Sequence, residues 1–190
     1  VYLVFNEGYA ATSGRDWVRG DLMEEAIRLG RVLAALAPRE AEAHGLLALM
    51  ELTAARFPAR VDSEGRPVLL EHQDRDRWDR SAIRRGRAAL AQAAAAERGL
   101  GPYGLQASIA ECHAVAASVA TTDWPRIVTL YEALGRVAPS AIVELNRAVA
   151  VSMASGPEAA LRIVDTLDLP GSYLLPAVRA ELLSRLGRPE

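Results

Sequence analysis

The sequence predicts an all-α protein built of short antiparallel helical hairpins stacked side by side. Three observations predict it. Apolar residues recur at three- and four-residue spacing along most of the chain. Prolines and glycines interrupt these runs after only a few helical turns. Alanine is abundant while aromatic residues make up 5%, a composition suited to helices in close contact.

Taken in order, residues 1–11 (VYLVFNEGYAA) read as the end of a helix, closed at Thr12-Ser13-Gly14. Arg15 to Gly20 is a connection carrying Trp17. Gly20 or Asp21 opens a strongly periodic helix with Leu22, Ala26, Leu29, Leu33 and Leu36 on its inner face, ended by Pro38. A further helix runs from about Glu40 to Ala55, with Leu46, Leu49/Met50 and Thr53/Ala54 on one side. The period breaks from Phe57 to Asp74. Within that interval ARVDSEGRPVLL reads as two short extended pieces around Asp62-Ser63-Glu64-Gly65, a β-hairpin-like insertion near 58–70. An Ala-rich helix resumes from Arg75 or Asp79 to Arg98, with Trp78, Ile83, Leu90 and Ala94 inward. Gly99 to Pro102 ends it, and Tyr103 to Ala117 is helical again.

The stretch from Trp124 to Leu161 is the most regular. Asp123 is a good N-cap and Pro125 sits in the first turn, where a missing N–H costs nothing. Ile127, Leu130/Tyr131, Leu134 and Val137 keep helical spacing. Pro139 stops this helix and Ser140 caps the next, which is expected to bury Ile142, Leu145, Val149 and Val151/Met153. Ser155-Gly156-Pro157 turns the chain into a third helix from Glu158. After a loop at Asp168 to Gly171, Ser172 caps a last helix with Leu175, Val178, Leu182 and Leu186 inward.

A repeat underlies this order. In tetratricopeptide units a small residue of the second helix touches the first, and a proline twelve positions later ends the unit. Ala26 and Pro38 have that spacing, as do Ile127 and Pro139. Ala148 and Ala160, flanking Gly156, resemble the small residues that face each other across a hairpin. Ala160 lacks its proline, since Pro170 comes two residues early, so the pattern is tetratricopeptide-like but degenerate. Such hairpins close a core only by stacking, and stacking produces a bowed surface with a long groove. No shift in composition marks a boundary, so residues 1–190 read as one helical-repeat domain.

Composition excludes several classes of function. The chain has 190 residues and a formal net charge of −2, so no global field attracts a polyanion. All 22 basic residues are Arg. One Cys excludes an internal disulfide framework and fits a reducing cytoplasm. No apolar run reaches the ~20 residues of a membrane span, and no signal peptide opens the chain. The first residue, Val1, already lies inside an apolar pattern, which suggests a piece of a longer protein.

The chemistry-bearing patterns are weak. Gly99-Leu-Gly-Pro-Tyr-Gly104 formally matches GxGxxG, but an alanine-rich helix precedes it where a dinucleotide fingerprint needs a strand. It reads as a helix end followed by a helix start. His44, His72 and His113 form no paired ligand spacing, and Cys112 and His113 point about 100° apart on a helix. No nucleophile elbow appears. The segment EHQDRDRWDRSAIRRGR is the most charge-dense. Its arginines, Arg75 to Arg87, interleave with Glu71, Asp74, Asp76 and Asp79, so it reads as an ion-paired structural motif rather than a phosphate grip. Asn6, Glu7 and Tyr9 lie on one otherwise apolar helix, Asn146 and Arg147 on another. Two readings stay open for them: a structural hydrogen-bond network, or a polar patch lining a concave surface.

The pieces YLVFNEGYAATSG (2–14), RGDLMEEAIRLGRVLAAL (19–36), LLALMELTAAR (46–56), LLEHQDRDRWDR (69–80), GPYGLQASIAECHA (101–114), TDWPRIVTLYEAL (122–134) and LNRAVAVSMASGPEAAL (145–161) cover nearly the whole chain. Together they resemble the C-terminal, tetratricopeptide-like extension of a group of extracytoplasmic-function (ECF) RNA polymerase sigma factors. Gly104 departs from the resemblance, standing where a larger polar residue is usual. The resemblance implies a regulatory, protein-interacting domain in transcription initiation, with no enzymatic activity and no cofactor or metal. Its implied partners are the sigma regions preceding Val1 and the RNA polymerase core; DNA would be touched only through those preceding regions. The residues expected to hold a partner are Asn6, Glu7, Tyr9, Arg19, Asp21, Arg75, Trp78, Asp79, Tyr103, Gln106, Asn146 and Arg147. The alternative reading is a small-molecule sensor with a pocket lined by Trp78, Tyr103 and Tyr131.

Overall fold

The computed structural model of the chain describes residues 1–9, 20–97 and 99–188. The described residues form α1 (Tyr2–Tyr9), α2 (Gly20–Leu36), α3 (Ala41–Ala54), α4 (Arg80–Ala95), α5 (Pro102–Val115), α6 (Trp124–Val137), α7 (Ala141–Ser155), α8 (Pro157–Val164) and α9 (Leu174–Arg185). The closing turn expected at Thr12-Ser13-Gly14 and the connection with Trp17 lie outside the described residues. Local chemistry sets the helix starts. Asp79 accepts from the Ser81 and Ala82 N–H groups ahead of α4, Asp123 from Arg126 N ahead of α6, and Ser140 from Ile142 N ahead of α7. Ser172 Oγ accepts from Leu174 N at 3.2 Å where α9 begins. Pro102, Pro125 and Pro157 occupy first turns, where no N–H is needed.

The chain divides into two compact units, Val1–Thr122 and Asp123–Glu190. In the first, α3 is the central element. It is apolar nearly all round, with Ala41, Ala43, Leu46 and the run Ala48 to Leu52 buried, as a helix covered on several sides must be. It packs against α2, α4 and α5, while α1 packs on α2. Phe5, Met23, Ala26, Ile27, Leu46 and Met50 form one core cluster. Leu49, Leu52, Trp78, Ile83 and Leu90 anchor another. A glycine contact sets the α3–α5 distance: a Cβ on Gly45 would stand 2.6 Å from Gly104 N and 3.0 Å from its Cα. A Cβ on Gly104 itself would stand 2.8 Å from Leu100 Cδ2, so the larger residue expected there requires Leu100 to move.

The inner face of α2 differs from the expected one. Met23, Ala26, Ile27, Gly30 and Ala34 are buried, whereas Leu33 and Leu36 are 38% and 79% exposed. The reason is close approach. Small residues line the seam, and a Cβ on Gly30 would run into Met50 Cε, so the leucines flank the contact instead of filling it. On α4, Ala93 is buried where Ala94 was expected.

Between α3 and α4 no strand forms. The 58–70 interval holds one isolated antiparallel bridge, Val61 with Pro67, between 3-10 turns at Phe57–Ala59 and Leu70–His72. Pro58 and Pro67 cannot donate to a ladder, so pairing does not propagate. Asp62 Oδ1 accepts from the N–H groups of Glu64 and Arg66 at 2.8 and 2.9 Å, and Gly65 takes a φ of 76° to close the turn.

In the second unit α7 packs against α6, α8 and α9. Leu145, Ala148, Ala160, Val164 and Leu182 form its core. Ala148 and Ala160 thus meet across the α7–α8 hairpin, whose turn uses Gly156 at a φ of 93°. Ile142, Val149 and Met153, expected inside, are exposed, as is Val137; Ala150 and Ser152 are buried instead. Again small side chains occupy the seam. Ser152 Oγ accepts from Arg185 at 2.6 Å, tying α9 to α7.

Candidate functional site

Two polar clusters stand out in the first unit. The first surrounds Glu51, in the middle of α3 and only 1% exposed. Arg31 of α2 donates to its Oε1 through Nε at 3.0 Å and Nη2 at 2.5 Å. Arg85 of α4 donates from Nε at 3.1 and 3.0 Å to both carboxylate oxygens. A carboxylate buried in an apolar helix survives only if its oxygens are taken up this way. Both guanidiniums stay about half exposed. The Glu51 hydrogen bond is the main reason the Arg85 guanidinium sits above its ordinary range. A cleft of about 400 Å³ opens here, its walls including Met23, Ile27, Phe57, Asp79 and both arginines.

The second cluster lies where α1, the 57–59 turn, the Arg75–Arg77 turn and α5 converge. Tyr9 stacks on Phe5 with ring centroids 5.6 Å apart. Its hydroxyl accepts from Arg56 Nη2 at 3.0 Å, and the Arg60 guanidinium lies 3.9 Å above its ring while donating to the Tyr9 carbonyl. Arg75 lies 4.7 Å over the Trp78 ring and donates to the carbonyls of His113, at 2.5 Å, and Ala116, at 2.9 Å. Burial, then the Arg56 and Arg75 charges, hold His113 down at about 4, against an ordinary 6.5. The ring is therefore neutral near pH 7. Burial first, and Arg56 second, also hold Arg75 below its usual range.

The expected partner-binding residues separate on this geometry. Tyr9, Arg75 and Trp78 belong together in the second cluster. Asp79 joins the first, its Oδ2 3.9 Å from Arg85 Nη2, while also capping α4. Tyr103 and Gln106 are at the start of α5. Tyr103 meets the Tyr2 ring edge-on at 5.3 Å and donates its N–H to Glu42 at 3.2 Å; Gln106 donates to the Pro102 carbonyl at 3.1 Å. Asn6 and Glu7 are exposed on α1, and Asp21 is exposed in the first turn of α2. Arg19 lies outside the described residues. Asn146 and Arg147 belong to the second unit, Asn146 exposed and Arg147 bound to Glu144 at 2.9 and 2.7 Å. Trp78 and Tyr103 are in the first unit and Tyr131 is in the second. The charge-dense segment is ion-paired: Arg87 meets Glu111 at 2.8 Å, and Arg80 lies 3.9 Å from Asp76.

Sequence reasoning missed Glu51, Arg31, Arg56 and Arg60. Glu51 carried a usable signal, being a lone acid inside the apolar run LLALMELTAA. Arg56 and Arg60 carried none, because their partners lie 47 and 51 residues away.

A family model described as a family of unknown function (DUF6596) matches residues 1–94, which include Glu51, Arg31, Arg85 and every member of the second cluster but His113 and Ala116. An uncharacterized protein of Rhizobium meliloti (strain 1021) is 49% identical over 190 residues, a match that covers 99% of this chain and 45% of the relative. The chain therefore spans less than half the length of that curated relative. No solved structure matches the chain. No described helix is long and apolar enough to cross a membrane.

Proposed function

We propose that the chain is the C-terminal regulatory domain of an extracytoplasmic-function sigma factor, a cytoplasmic, non-enzymatic module that acts in transcription initiation by gripping the attached sigma regions or the RNA polymerase core. The observation that carries this reading is the series of seven motifs spread over an all-helical chain. The additional length of the Rhizobium relative, of which this chain covers 45%, leaves room for the DNA- and polymerase-binding sigma regions that the reading requires. DNA contact belongs to that segment, not to these helices, whose charge is near balance. The test compares the full-length factor with and without residues 1–190 for binding to core polymerase and for transcription from its target promoter. Polymerase binding that persists while transcription is lost is the expected result. Unchanged transcription from the truncated factor defeats the reading.

A second reading, a helical sensor of a small molecule controlling the same factor, is favoured by the cleft beside Glu51. Its volume of about 400 Å³ lies in the range of small-molecule sites. A ligand bound there raises the melting temperature by an amount that grows with the logarithm of its concentration over its dissociation constant; Arg31→Gln abolishes that rise if the cleft is the site.

A further inference from the structure

One flank of α2 carries Leu22, Leu29, Leu33 and Leu36. At about 100° per residue these leucines fall within about 60° of one another around the helix axis. They form an apolar strip along α2, beside the face that Met23, Ala26, Ile27 and Gly30 bury against α3. The strip is covered unevenly. Leu22 and Leu29 are partly buried, whereas Leu33 is 38% and Leu36 79% exposed, with Val32 beside them at 44%.

The position of α1 accounts for the difference. Phe5 shares a core cluster with Met23, Ala26 and Ile27, which sets the middle of α1 against the first half of α2. Tyr9 reaches Arg56 just past the end of α3, while Tyr2 meets Tyr103, whose N–H is held by Glu42 in the first turn of α3. Gly20 faces Phe57 and Gly30 faces Met50. Helix α2 therefore runs antiparallel to α3, and α1, parallel to α3, runs antiparallel to α2. The two helices have 8 and 17 residues, about 12 and 25 Å. The end of α2, from about Val32 on, thus projects past Val1, and there the strip is bare. The facing end of α1 is apolar too, with Val1 42% and Val4 38% exposed. Phe5 N donates to the Val1 carbonyl at 3.0 Å, so helical bonding already includes Val1.

We propose that the bare end of this strip seats an amphipathic helix of the same polypeptide, one that runs into α1 from ahead of Val1 and lays apolar side chains on Leu33 and Leu36. Two arguments choose this occupant over a second copy of the chain. The bare half of the strip is in line with the half that α1 covers, so about two further turns of α1 complete the cover with the packing already present. The Rhizobium relative, of which this chain covers 45%, has residues enough to supply them. Helical spacing asks for apolar side chains about three or four and about seven places ahead of Val1. The inference stands apart from the sigma-factor reading, and its test does not read transcription.

The test compares the 190-residue chain with the full-length polypeptide. Leu36→Cys and, separately, Arg28→Cys are placed in both, and alkylation by iodoacetamide is followed. The native Cys112 is buried and gives the slow background. Leu36→Cys is expected to react about tenfold more slowly in the full-length polypeptide than in the 190-residue chain. Arg28→Cys, at an exposed position of α2 outside the strip, reacts at the same rate in both. A second variant reads stability. Leu36→Asp lowers the melting temperature of the full-length polypeptide, where it buries a charge, and leaves that of the shorter chain unchanged, because the position is exposed there. Equal alkylation of Leu36→Cys in both lengths overturns the proposal, as does an equal effect of Leu36→Asp in both. Slowing that appears in the 190-residue chain as its concentration rises also overturns it, and assigns the strip to a second copy.

Discussion

Glu51 and His113 are two ionisable residues inside helices, and the chain treats them in opposite ways. Glu51 has its two carboxylate oxygens taken up by two guanidiniums. Removing the carboxylate leaves Arg31 and Arg85 facing each other and an apolar helix with a hole in it. Breaking a buried pair costs about 3–5 kcal/mol, and the half exposure of both arginines brings this towards the lower limit. Glu51→Ala is therefore expected to lower stability by about 3 kcal/mol in urea unfolding, and Arg31→Gln by only about 1 kcal/mol, since Arg85 still holds the carboxylate.

His113 is kept neutral at about 4 by burial, with Arg56 and Arg75 adding to the effect. Between its unfolded value of 6.5 and about 4, the unfolded chain binds the proton and the folded chain does not. Stability conferred by the neutral ring is complete above the unfolded value and is lost as pH falls through that window. A depression of this size corresponds to ~3 kcal/mol at the acid end. Urea midpoints measured from pH 7 to pH 4 should fall steeply, and His113→Leu should flatten the profile. An equally steep profile in the variant assigns the acid sensitivity to other groups.

At the level of elements, helix existence was legible in the chain and helix faces were less so. Capping residues act within one turn, so Asp79, Asp123, Ser140 and Ser172 all bind the N–H groups that their positions imply. The buried faces of α2 and α7 depend on what their neighbours bring. There the seams are lined by Ala, Gly and Ser, and the leucines and valines that a hydrophobic pattern places inside stand at the margins. The two arginine clusters were legible only in part: Tyr9, Arg75, Trp78 and Asp79 stood out in the sequence, but which residues meet them did not, since the members come from segments far apart in the chain. Glycine contacts at these seams give a direct test. Gly45→Ala puts a methyl group against the Gly104 backbone, and Gly86→Ala puts one 2.7 Å from Leu52 Cγ. Each is expected to lower stability by about 1–3 kcal/mol despite better helix propensity, read as a drop in melting temperature. Ala88→Gly, on the exposed face of α4, is a control that costs only its propensity, about 1 kcal/mol.

On the scale of the whole molecule, each unit has a core made of its own residues. Residues 1–122 produced alone are expected to keep their helical circular dichroism and to unfold in one cooperative step. Residues 123–190 bury a smaller core and should melt at lower temperature; a non-cooperative profile for 1–122 contradicts the assignment of its core. Within that first unit α5 has no cap of its own making. Its leading N–H groups, those of Tyr103 and Gly104, are taken by Glu42 from α3 at 3.2 and 3.5 Å. Its trailing carbonyl at His113, and that of Ala116 beyond, are taken by Arg75. A peptide spanning α5 alone therefore has no reason to hold its shape in water. In the intact chain its amide protons should exchange with solvent together with those of α3, as one opening event, and Glu42→Ala should hasten exchange at the front of α5 before any other segment loosens.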